Sequence, residues 1–251
     1  MWKLVILMAL GLLVACDERA TLAPVVEGSW RADNPSANFY RVRSGDTLYS
    51  IAFRYDQDYR RLAAMNALQS PYVVKVGQVI HLKSQYMTAP TPRIVYMNRR
   101  AVAQQQRSRP HLRQPQSQPA LSRLPSNAHW SWPVHGAILS SFSPEMGRKG
   151  IDIAGKKGQT IRATASGTVA YAGDGLPGYG NLILIQHPKQ LLSAYGYNAR
   201  NLVHAGQTVH AGQAIAIIGV SPKRRYAMHF EVRKAGQPVN PGYFLSKGYE
   251  K

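Results

Sequence analysis

One thiol and a large excess of cations are the side chains here with the most evident chemistry. Cys16 is the only cysteine in 251 residues, so it has no internal disulfide partner. It follows Leu13-Val14-Ala15 at the end of an apolar stretch that starts at Leu4, behind the charged opening Met1-Trp2-Lys3. Small residues before a thiol suit a signal peptidase, and the thiol can then accept a lipid. The stretch is shorter than the roughly 20 apolar residues a membrane span needs. We therefore expect a lipoprotein signal over residues 1–15 and a membrane anchor on lipidated Cys16.

Thirty-one Lys and Arg against 12 Asp and Glu leave a formal net charge of +19. So strong a charge asks for an anionic partner. Export argues against nucleic acid, whereas the stem-peptide carboxylates of peptidoglycan and anionic membrane head groups both suit. The expected location is periplasmic, lipid-anchored to the cell membrane or the outer membrane. Asp17, acidic directly after the cysteine, resembles an inner-membrane retention signal of the enterobacterial type.

The elements that position these groups fall into two globular pieces. Residues 16–38 read as a polar linker and residues 85–129 as a basic tether, the latter with seven Arg, six Pro, seven Gln and no acidic residue. Such a segment cannot bury enough apolar surface to offset its ordering entropy, so disorder is expected. Between them, Phe39-Tyr40-Arg41-Val42-Arg43 alternates like a strand, and Ser44-Gly45-Asp46 is a turn whose Ser44 or Asp46 can cap a helix. Leu48, Ile51, Ala52 and Tyr55 then recur at helical spacing, and Leu62, Ala63, Met65 and Asn66 mark a second helix. Val79-Ile80-His81-Leu82 closes a small α+β unit of βααβ order.

Tyr40 to Ala52, with Leu62, Asn66, Leu68 and Val76-Gly77-Gln78-Val79-Ile80, resembles a LysM domain, assigned here to residues 39–84. The resemblance implies binding of N-acetylglucosamine-containing glycans in a shallow groove between two loops. The residues it nominates are Gly45, Asp46, Thr47 and Leu48 on one loop and Asn66, Pro71 and Tyr72 on the other. Leu48 and Ile51 also fit a plain core role.

From Trp130 to the end, short strands alternate with glycine turns, the pattern of a mainly-β domain of antiparallel sheets. Strands are expected at Trp132-Pro133-Val134, 150–154, 160–163, 167–171, 181–187, 209–215 and 228–233. Trp132-Pro133, Gly150-Ile151-Asp152-Ile153-Ala154, Tyr171-Ala172-Gly173, Gly178-Tyr179-Gly180-Asn181, Gln186-His187, Ala211-Gly212-Gln213 and His229-Phe230-Glu231 together resemble the LytM/lysostaphin-type zinc peptidases. Within that family the resemblance is to the NlpD-like envelope lipoproteins.

Active members hold zinc through the His and Asp of H-x-x-x-D and the second His of H-x-H, with two further histidines assisting. Three protein ligands leave one position for a water that the metal acidifies. On this chain Arg148 stands at the first His, Asp152 is retained, Tyr197 replaces one assisting His, Ala227 replaces the other, and His229 keeps the last ligand position. His135, His187, His204 and His210 fall on other strands or turns. A guanidinium at a ligand position repels a divalent ion and suits pairing with Asp152. The resemblance thus implies a degenerate domain that is not an enzyme, with no cofactor and Asp152 and His229 as vestigial ligands.

NlpD-like proteins with such domains switch on N-acetylmuramyl-L-alanine amidases at cell separation, so peptidoglycan and an amidase are the partners expected. Arg148, Asp152, Tyr197, Tyr226, Ala227 and His229 would line the docking groove. Two other readings stay open: a zinc endopeptidase with unusual ligands, and a purely structural wall-binding lipoprotein.

Overall fold

The computed structural model describes residues 36–83 and 130–246. The signal region, Cys16, nearly all of the 16–38 linker and the 85–129 tether lie outside the described residues. The first unit runs β1 (Phe39–Arg41), α1 (Leu48–Arg54), α2 (Tyr59–Met65), β2 (Val79–His81). Strands β1 and β2 pair antiparallel with Tyr40 opposite Ile80. Leu48, Ile51, Leu62 and Ile80 are fully buried between the helices and this ribbon.

Helix α1 is capped by Thr47 rather than by Ser44 or Asp46. The Thr47 hydroxyl accepts from the Ser50 amide at 3.1 Å while the Ser50 hydroxyl accepts from the Thr47 amide at 3.0 Å. This reciprocal box satisfies two amide groups the helix cannot pair internally. Asp46 instead closes the preceding turn, accepting from the Tyr40 hydroxyl at 2.7 Å and the Arg43 amide at 2.8 Å.

The second unit is built from β3 (Ile138–Ser140), β4 (Ile151–Ala154), β5 (Thr160–Arg162), β6 (Gly167–Gly173), β7 (Asn181–Gln186), β8 (Leu191–Asn201), β9 (Thr208–Val209), β10 (Ala214–Val220), β11 (Tyr226–Lys234) and β12 (Gln237–Val239). They form one ten-stranded sheet in the order β3-β4-β11-β10-β8-β7-β6-β9, with β5 on β10 and β12 on β11. Ile153, Ile161, Ile183, Ile185, Val209, Ile215, Phe230 and Val232 fill its core.

Three local expectations change. Trp132-Pro133-Val134 forms no strand; Val134 is buried and the Trp132 indole donates to the Ser246 carbonyl at 3.0 Å. The run 209–215 is broken at Gly212, whose φ of 78° is a left-handed turn that separates β9 from β10. The eleven-residue β8 is an addition to the expected strands, because Ser193, Gly196 and Asn198 interrupt its apolar alternation.

The LysM-like unit packs against this sheet. Phe53 of α1 is buried in a cluster with Tyr171, Leu176, Tyr179, Leu182 and Leu184, its ring 5.4 Å from that of Tyr179. Burying one such aromatic contributes roughly 1.5–3 kcal/mol. Around it, Arg54 donates to the Gly175 carbonyl at 2.6 Å and Gln186 donates to the Tyr59 hydroxyl at 2.6 Å. Gln237 donates to the Asp56 carbonyl at 2.7 Å.

Candidate functional site

A groove of about 500 Å³ opens where β4, β8 and β11 lie side by side. Antiparallel pairing sets His229 opposite Asp152 on one flank and opposite Gly196 on the other. A strand's two-residue period then places Ala227, His229 and Glu231 on one face of β11, and all three line the groove. Tyr226, expected there, is not among its lining residues, because that period assigns it to the other face of the strand.

His229 is held between two carboxylates. Its Nδ1 lies 2.7 Å from Asp152 Oδ1 and its Nε2 lies 3.0 Å from Glu231 Oε1. Burial opposes a charge on the ring, but the hydrogen bonds to Asp152 and Glu231 outweigh it and hold the imidazole pKa up at about 9. Both ring nitrogens are thus engaged by carboxylate oxygens.

Glu231 is completely buried and is the hub of the floor. Burial alone would raise its pKa, yet the neighbouring Arg233 and His229 push it well below the carboxylate range. Its Oε1 also accepts from the Tyr179 hydroxyl at 2.7 Å, and its Oε2 accepts from Arg233 Nε at 2.8 Å. In the sequence Glu231 enters only as the last residue of the His229-Phe230-Glu231 motif, and Arg233 carries no signal of its own. Both occupy the face of β11 opposite Phe230 and Val232, which reads as solvent-facing until another unit covers it.

Tyr197 takes a left-handed backbone with φ of 62°, and its amide donates to the Tyr179 carbonyl at 2.7 Å. That turn brings its ring to 5.5 Å from the His229 ring. Arg148 departs from expectation: its guanidinium donates to the Met146 sulfur at 3.3 Å, and the ion pair of Asp152 is with His229. Exposed at the rim, Arg148 stays hydrated, while the shorter reach belongs to the neighbour across the strand pair. At the positions that the resemblance matches to zinc ligands, Arg148 is a cation turned towards Met146, and Asp152 and His229 are hydrogen-bonded to each other, a donor set that does not fit zinc.

The glycan-nominated residues divide. Gly45 forms an open turn with φ of 82°, and no atom lies within 4 Å of where its Cβ would be. Pro71 is exposed, and Tyr72 stacks edge-on at 6.4 Å from Tyr49 and 5.6 Å from Tyr59. Leu48 is fully buried, so the core reading applies to its side chain. Asn66 is spent on structure, donating to the Leu62 and His81 carbonyls and accepting from the His81 amide at 2.7 Å. Asp46 and Thr47 serve the turn and the cap described above, and Thr47 also donates to the Ala170 carbonyl at 3.2 Å across the interface between units.

Comparison with known proteins follows the same division. Peptidase family M23 matches residues 146–241 and the LysM domain matches residues 40–83. The chain is 39% identical over 232 residues to the lipoprotein NlpD/LppB homolog of Pseudomonas aeruginosa, covering 83% of this chain and 77% of that protein. It is 35% identical over 258 residues to the murein hydrolase activator NlpD of Escherichia coli, covering 84% and 68%. The uncharacterized lipoprotein YgeR of Escherichia coli is 32% identical over 247 residues, covering 96% and 92%.

Proposed function

Since the chain belongs to the NlpD-like family of envelope lipoproteins, we propose that it is a wall-binding, non-catalytic activator of N-acetylmuramyl-L-alanine amidases. The observation that carries this reading is the closed Asp152–His229–Glu231 arrangement at the floor of a groove that is still open to a partner. A floor whose acid and imidazole satisfy each other has no group free to activate water, but it is a fixed, charged surface on which a polypeptide segment can rest. Arg148, Asp152, Tyr197, Ala227 and His229 are the docking residues in this proposal, with Lys223 and Arg225 on the rim.

The amidase equilibrium would shift because the groove has higher affinity for the open enzyme than for the self-blocked one. Gly45, Thr47, Pro71 and Tyr72 would hold the glycan, and lipidated Cys16 would tether the assembly to the membrane. Tethering raises the local concentration of the second unit at the wall without new contacts.

Release of dye from labelled sacculi by a purified cognate amidase, with and without the full chain, tests this reading. Stimulation by a preparation that releases no dye alone supports it. Release by the chain alone, with stoichiometric zinc, would instead establish the endopeptidase reading.

A further inference from the structure

Two sets of residues in the LysM-like unit do double service. Thr47 belongs to the loop nominated for glycan, yet its hydroxyl donates to the Ala170 carbonyl of β6. Tyr72, on the opposite glycan loop, packs on Tyr49 and Tyr59. Tyr59 in turn accepts from Gln186 of β7, and Tyr49 packs against the shared cluster around Phe53. Both edges of the glycan groove therefore abut the seam between the two units.

The same seam lies directly behind the candidate docking groove. Asp56, at the end of α1, accepts from Arg233 Nη1 at 2.7 Å and also pairs with Lys149. Lys149, Tyr179 and Glu231 line the groove, and Arg233 connects Asp56 to Glu231 from behind. At the far margin the hairpin turn at Gly236 comes so close to Gln57 that a Cβ there would lie 2.2 Å from its carbonyl carbon.

We propose that glycan binding and docking of the LysM-like unit on the peptidase-like unit compete, so that wall glycan undocks the LysM-like unit and uncovers the Arg233–Glu231 face behind the groove. The proposal rests on the reading that this unit binds N-acetylglucosamine polymers. Docking uses the Thr47 hydroxyl and fixes the Tyr49–Tyr59–Tyr72 cluster, and a sugar seated on Thr47 and Tyr72 needs both. When only the undocked fraction binds, the apparent affinity is reduced by that fraction. A substitution that weakens docking without touching the glycan loops must then tighten glycan binding.

The experiment measures binding of an N-acetylglucosamine pentamer to the full chain and to two variants, with hydrogen exchange followed at residues 52–59 and 170–176. Gly236→Asn suits the purpose because Asn tolerates the left-handed turn while its Cβ wedges against Gln57. Asp56→Arg reaches the same end by placing a cation against Arg233 and Lys149. Expected are binding about five-fold or more tighter in both variants, and faster exchange at 52–59 and 170–176 of the native chain when the pentamer is added. Equal affinities with unchanged exchange would overturn the competition and leave the glycan reading standing. Absence of binding in all three proteins would overturn both.

Discussion

Asp56 and Arg233, 177 positions apart, meet at 2.7 Å and join the two units of the chain through an otherwise buried cation. Arg233 is 2% exposed in its side chain and also serves Glu231, so it cannot be removed from one partner without stranding the other. Arg233→Met, similar in volume, should leave the Glu231 carboxylate under-compensated and cost about 3–5 kcal/mol. Urea unfolding followed by tryptophan fluorescence reads this out; a loss under about 1 kcal/mol would refute the hub role. Asp56→Asn should cost far less, because Asp56 is 35% exposed and solvent screens the pair.

His187 supplies a pH dependence of definite sign. Its ring is buried, with Nδ1 at 2.8 Å from the Ser166 carbonyl and Nε2 at 2.7 Å from the Ser193 hydroxyl. Burial lowers its pKa from 6.5 to about 4, against the opposing pull of the Ser166 bond. The unfolded chain therefore binds the proton first. The stability from keeping this ring neutral is present above pH 6.5 and is lost as pH falls towards 4. Between those limits the slope from this group approaches about 1.4 kcal/mol per pH unit. In His187→Gln the slope of unfolding free energy between pH 6.5 and 4.5 should flatten by close to one proton; an unchanged slope would count against the assignment.

In the LysM-like unit, Leu48 and Asn66 should behave as structural residues. Leu48→Ala removes a fully buried side chain and should cost about 2–5 kcal/mol. Asn66→Ala breaks the tie from α2 to β2 and should cost about 1–3 kcal/mol through unpaired backbone groups. Thermal melts of the full chain monitor both. A variant of either that melts like the parent but no longer binds an N-acetylglucosamine pentamer would restore that residue to the glycan groove.

Most of the architecture is legible because local signals agree. The Gly-Asp-Thr turn, the helical spacing that follows it and the glycine-punctuated strands each imply the element found. The expected substitutions at Arg148, Tyr197 and Ala227 rest on the motifs that surround them. What sequence does not reveal is long-range covering. Glu231 and Arg233 alternate with Phe230 and Val232 as on a strand with one wet face, but Tyr179 and His229 meet Glu231 there, and Phe53 and Asp56 of the LysM-like unit meet Arg233. The partner of Asp152 is equally hidden: a guanidinium at a ligand position suggests Arg148, but strand register delivers His229. Thr47 rather than Asp46 caps α1 because Asp46 is already engaged by Tyr40 and Arg43.

In the function proposed above, the groove captures an amidase. Arg148 is exposed at the rim, and Lys223 stands on the groove's other wall, so reversing their charge leaves the buried floor intact. The most direct measurement is amidase-dependent dye release from labelled sacculi, comparing the native chain with Arg148→Glu/Lys223→Glu at matched concentrations and verified folding. Expected are dose-dependent stimulation by the native chain and at least a ten-fold loss, about 1.4 kcal/mol of binding, in the double variant. Stimulation of equal strength by both proteins, or none by the native chain at micromolar concentration, would contradict it.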